Sequence, residues 1–154
     1  MANEAALILK MFQNNWDGKM WYGGNIMYAL KGISADKAFE KKPSQAHNVY
    51  ELVMHMICWR KFVAEYLKGN VEYKVEINSE LDWPVNYEPS PQAWELALRT
   101  LEKLQLELVE LMPNVTDQQL TEFVAGKKFT WYDFLHGLLH HDIYHSGQIA
   151  VLKK

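Results

Sequence analysis

The residues of this chain best suited to chemistry are its six histidines, and they are unevenly placed. His47 and His55 fall in one apolar segment, while His136, His140, His141 and His145 crowd into another near the C-terminal end. His141 and His145 are four apart. On a helix that spacing sets two imidazoles on one face, one turn apart, within reach of a single metal ion. His136 and His140 share the spacing on a face about 100° away. Spacing alone does not choose between the two pairs. Either pair needs a further ligand from another helix. His55 is better placed for this than His47, because it sits among Val53, Met54, Met56 and Ile57, whereas His47 lies near a helix start. Histidines four apart are more often surface or packing residues than ligands, so the pattern needs support from the rest of the chain.

The string from His141 to Ile149 reads HDIYHSGQI. Asp142 stands where a zinc protease of the HExxH type has its glutamate, and it is one carbon shorter. Gly147 follows inside the same segment, where a glycine costs about 1 kcal/mol against alanine. The expectation for Gly147 is a close helix–helix approach. Both features argue against a protease. Cys58 is the single cysteine and lies three residues after His55. One thiol makes no intramolecular disulfide and no cysteine-rich zinc site. It reads as a small buried hydrophobe, with a role as fourth ligand or nucleophile as the alternative.

The elements that must position these groups are helical. Breaks at Gly23-Gly24, Lys41-Lys42-Pro43, Gly69-Asn70, Ser90-Pro91, Pro113-Asn114 and Gly126-Lys127-Lys128 leave four long segments. The first spans about residues 3–17, and a shorter apolar piece, Asn25 to Leu30, follows. The second long segment starts at Ser44 as N-cap, carries a stripe from Val49 to Leu67 and ends at the C′ glycine Gly69. The third opens with Ser90-Pro91, an N-cap followed by proline at the first helical position, and stops at Pro113. The fourth opens at Thr130, with Asp133 completing a variant capping box. Val71, Tyr73, Val75 and Ile77 alternate with polar residues, but a lone strand has no partner, so residues 70–89 read as an extended crossover. Residues 114–129 are a second connector, with a short helical turn near Asp117 to Leu120. The fold expected is all-α, a four-helix bundle forming a single domain over residues 1–154.

Composition narrows the function. The chain has 154 residues, 49% hydrophobic and 23% charged, with a net charge of -3. A chain of this length buries roughly 70% of its unfolded surface and needs no disulfides. The acidic balance, with no basic and aromatic-interleaved patch, argues against nucleic-acid binding. No segment reaches the length of a membrane span, and the apolar run Ala5 to Leu9, flanked by Glu4 and Lys10, is too short for a secretory signal. The expected location is cytoplasmic.

Over nearly its whole length the chain resembles the DinB-like (YfiT-like) four-helix-bundle metalloproteins. The resemblance rests on WYGGNIMYAL (Trp21 to Leu30), HNVYELVMHMICW (His47 to Trp59), Asp82-Trp83-Pro84, Ser90-Pro91 with Trp94, and above all the closing GLLHHDIYHSGQIAVLKK. It implies an up-down-down-up bundle with long connectors. It also implies that His55, His141 and His145 bind a divalent metal ion, zinc or nickel foremost, with iron or manganese as alternatives. His47 is then a helix-start or pocket-rim residue, and His136 and His140 flank the site. Three protein ligands leave one coordination position open, as in catalytic sites and unlike closed structural ones. Family members use the position for thiol-dependent S-transfer or isomerisation with a low-molecular-weight thiol, and others are described only as metal-dependent hydrolases. The resemblance further implies a small-molecule substrate and a homodimer.

Given that trio, two further side chains become candidates. Glu51, four residues before His55 on the same helical face, could accept the imidazole's free N–H or act as base on a bound water. Otherwise it is a solvated or capping glutamate. Gln148, three after His145, could point into the site or bond a neighbouring helix. Asp142, adjacent to His141 and so about 100° round the helix from it, is expected to bond within the bundle. Trp59, Trp83 and Trp94 read as core or pocket wall. The expected function is a divalent-metal-dependent transferase or hydrolase, with a non-catalytic metal- or ligand-binding bundle as the alternative.

Overall fold

Each long segment begins where a short polar side chain can take up a free backbone N–H. In the computed structural model, which describes residues 3–154, Asn3 caps α1 (Glu4–Trp16) and Asn25 caps α2 (Ile26–Leu30). Ser34 caps α3 (Ala35–Phe39) and Asn48 caps α4 (Val49–Leu67). Ser90 precedes α5 (Pro91–Leu111), which runs into a 3-10 turn at Met112–Asn114, and Thr116 caps α6 (Asp117–Leu120). Thr130 and Asp133 form a reciprocal capping box at the start of α7 (Trp131–Leu152). The described residues hold no strand, only isolated bridges at Met20–Gly23 and Phe123–Thr130. The fold is all-α, as the periodicity indicates.

The second long helix starts later than Ser44. Asn48, only 2% exposed, is the residue with a buried reason to cap it. Its side chain accepts from Glu51 N at 2.8 Å, and its amide donates to Tyr87 Oη at 2.8 Å and to Phe39 O at 3.3 Å. Those bonds tie the helix start to α3 and to the connector, a demand that Ser44 does not meet. At the other end Gly69 adopts φ +86°, the left-handed geometry of a C′ residue. The five-residue helix α3 has no sequence counterpart above, because one turn is too short to show a period.

α4 is the central element. It packs against α5 on one side and α7 on another, while α1 and α2 also lean on α7. Because it is surrounded, its burial runs almost all round the helix, from Val49 to Tyr66. The apolar core falls into two clusters. One gathers Ile8, Phe12, Phe62, Val63, Leu108, Phe134, Leu135 and Leu138. The other gathers Ile26, Leu52, Val53, Met56, Trp94, Leu101 and Ile149. Between them, the middles of α4 and α7 carry polar groups: His55, Arg60, Asp142, His145 and Ser146 are all buried. No described helix is long and apolar enough to cross a membrane.

The connector 70–89 is irregular. Tyr73 and Val75 rest on the first cluster, whereas Ile77 is 70% exposed. Its far end turns inward and buries Asp82 to 1% exposure. That inward turn brings a carboxylate to the middle of α4.

Candidate metal centre

His55 projects from the middle of α4, and His141 and His145 from successive turns of α7. Each offers one ring nitrogen, and these three atoms lie within 4.8 Å of one another. His55 Nε2 and His141 Nε2 are 2.9 Å apart. His55 and His145 are buried, and His141 is half-buried.

The outward-facing nitrogens decide what the inward-facing ones can do. His55 Nδ1 lies 3.1 Å from the carbonyl oxygen of Asp82 and 2.8 Å from its carboxylate Oδ1. Both are acceptors, so Nδ1 carries the proton and Nε2 is left as a lone pair. His145 Nδ1 sits 2.6 Å from Gln148 Oε1, which fixes the same tautomer. Asp82 is itself held, its carboxylate accepting from Trp59 Nε1 at 2.9 Å and from the Asn78 backbone N–H at 2.8 Å. The Trp83 indole stacks on His55, with ring centroids 3.8 Å apart, and on His47 at 3.7 Å.

Burial pushes both enclosed imidazoles toward the neutral form. Desolvation lowers the His145 pKa to about 4, helped by the neighbouring His141. Desolvation likewise lowers that of His55, although the Asp82 contacts oppose it. Two inward lone pairs on neutral rings, with a third imidazole nitrogen against them, are a donor set that fits a divalent cation of the zinc, nickel or iron(II) kind.

The remaining polar residues sort by their contacts. Glu51 does not touch the trio. Its carboxylate accepts from Tyr87 Oη at 2.7 Å and from Lys41 Nζ at 3.0 and 3.1 Å, and lies 3.1 Å from His47 Nδ1. Burial opposes its ionisation, but those partners together outweigh burial and hold its pKa below the usual glutamate range. The place proposed for Glu51, at the free N–H of His55, is taken by Asp82. Gln148 does meet the site, through His145.

Asp142 bonds inside the bundle as expected. Its Oδ2 accepts from Arg60 Nε at 3.1 Å and lies 2.9 Å from Nη2. Both side chains are fully buried. Cys58 is buried too, and desolvation, with Asp82 nearby, raises its thiol to about 11, far from a ready nucleophile. His136 and His140 lie 6.0 Å apart by ring centroid and stay outside the trio. Spacing arguments had no means of finding Asp82, which is 27 positions from its partner in an irregular segment. The one signal was a carboxylate followed by Trp83-Pro84 in a connector; Trp83 itself stacks on His55 and His47 and packs against the second core cluster.

Two cavities flank the centre. One of about 340 Å³ is lined by Trp59, Phe62, Phe134, Gly137, Leu138 and His141, among others. Another of about 470 Å³ is lined by His47, Tyr144, Gly147 and Gln148, among others. Gly147 does not mark a close helix contact. A Cβ added there would meet nothing within 4 Å. It borders open space because the second cavity lies against that face of α7.

A sequence model of the DinB superfamily matches residues 24–149, a span that contains all three clustered histidines and Asp82. No curated protein and no solved structure matches the chain.

Proposed function

The chain belongs to the DinB superfamily, and we propose that it is a divalent-metal-dependent enzyme in which His55, His141 and His145 hold the ion. The observation that carries this reading is the fixed tautomer of His55 and His145, each with its Nδ1 proton committed to a protein acceptor. A cation at three imidazoles with one open position would supply Lewis acidity, favouring the anionic form of a thiol or a water at neutral pH.

The surrounding residues favour thiol-dependent S-transfer over hydrolysis. Hydrolysis benefits from a free general base beside the attacking water. Glu51, the nearest candidate in sequence, has its carboxylate bonded to Tyr87, Lys41 and His47. An external thiol needs less help, since its unperturbed pKa is already only about 8.5. Asp82 and Gln148 hold the rings in register, Trp83 covers His55, and the cavity beside His141 offers an electrophile apolar walls. In this reading the protein is cytoplasmic, works as a homodimer and takes a small molecule as its substrate.

The test is turnover. Protein reconstituted with zinc or nickel is mixed with a small thiol and chlorodinitrobenzene, and separately with a panel of esters and amides lacking thiol. Metal-dependent thioether formation is expected. Thiol-independent cleavage would assign the hydrolase instead, and a metal-loaded protein inert in both arms would leave a binding module.

A further inference from the structure

The middle of α7 carries a second glycine that needs explaining. Gly137 lies four residues before His141, one turn N-terminal on the same face. A mid-helix glycine is unfavourable for the helix. Such a residue is usually retained where another backbone comes close, but a Cβ built at Gly137 meets nothing within 4 Å. The space it leaves is part of the cavity that reaches His141. Facing it across the cavity are Val63 and Phe62 of α4.

The walls are aromatic and their rings are set at angles. Trp59 and Phe62 meet edge-on, with centroids 5.5 Å apart and planes at 82°. Phe62 and Phe134 do the same at 5.6 Å and 85°. Phe129 lies 5.4 Å from Phe134. Rings that meet edge to face around a cavity are a setting in which a further ring finds offset and edge contacts. Polar lining is confined to two places. His141 stands at one, and Asp133 at the other, its Oδ2 accepting from the Thr130 backbone N–H and hydroxyl.

We propose that this cavity receives an aromatic group of the substrate, with its reacting end toward His141, and that Gly137 sets the size of group admitted. The inference rests on the metal-enzyme reading for the word substrate, but the binding it asserts stands or falls separately. A side chain at position 137 would fill the space from α7. A larger one at 63 would fill it from α4.

The experiment is a titration of the full-length, zinc-loaded protein with naphthol, followed by calorimetry, with metal content measured on the same samples. Saturable binding is expected, tighter than that of the saturated analogue decalol by roughly threefold or more. G137L should weaken naphthol binding by about tenfold or more and leave zinc content unchanged. V63L should weaken it in the same direction. G137A, a smaller intrusion, should raise the melting temperature through helix propensity and lower affinity less than leucine does. Should G137L fail to fold, G137A and V63L carry the same test. No saturable naphthol binding, naphthol and decalol binding alike, or variants that bind as the parent does would each overturn the proposal. A zinc-loaded protein that ignores naphthol sinks this inference and spares the metal reading. A protein that binds naphthol in a Gly137-sensitive way but holds no metal does the reverse.

Discussion

Asp82 does for His55 what Gln148 does for His145: each accepts a hydrogen bond from Nδ1–H and so leaves an Nε2 lone pair pointing inward. Outer partners of this kind orient metal ligands and raise their basicity, and their loss typically weakens metal binding roughly 10- to 100-fold. D82N should lower zinc affinity by that order in competition with a chromophoric chelator, and unchanged affinity would remove Asp82 from the site. The depressed His145 pKa gives a second prediction. Between its ordinary value of about 6.5 and its folded value of about 4, the unfolded chain binds the proton first. Stability of the metal-free protein should therefore be fully present above the ordinary value and fall as pH drops through that window. Urea midpoints measured across it should slope upward with pH, and more steeply than those of H145N. Equal slopes would contradict the assignment. At this scale the sequence was legible where spacing is local. His141 and His145 share a helix face, and the apolar neighbours of His55 single it out over His47, as the family motif also does. Asp82 was illegible in this role because a connector's inward turn has no period.

The helices were legible where a local capping residue or turn signal marks them, down to the four residues of α6 at Asp117–Leu120. α5 and α7 begin at Ser90-Pro91 and Thr130, as the capping residues announce. α4 is capped by Asn48 and not by Ser44, because tertiary bonds from Asn48 to Phe39 and Tyr87 fix where the helix starts. The two α7 glycines show the same limit. Sequence reports the helix penalty at Gly147 but not whether a neighbour or a void explains it, and here it is a void. G147A should therefore stabilise the protein by about 1 kcal/mol in denaturant unfolding. A loss of stability would mean that α7 is crowded at that point after all.

Across the whole molecule, the three-histidine cluster shares its level with a buried ion pair. Arg60 joins Asp142 to Gln105, which reaches Phe12 O, and its guanidinium lies over the Trp16 ring at 5.4 Å. α1, α4, α5 and α7 thus meet in one polar layer between two apolar clusters. Removing one member of a buried pair strands the other, at a cost of about 3–5 kcal/mol. D142L should destabilise by that order, and pairing it with R60M should recover part of the loss. Additive losses would show that the two residues do not act as a pair. The layer also holds α7 next to His141, so this buried polar network and the proposed chemistry sit side by side. The claim on which the rest depends is that three histidines from α4 and α7 hold one ion. Metal content of the reconstituted protein tests it most directly. About one divalent ion per chain is expected for the parent and less than about 0.2 for H145A, since two imidazoles do not make a catalytic site of this kind. Full occupancy of H145A, or an empty parent, would contradict it.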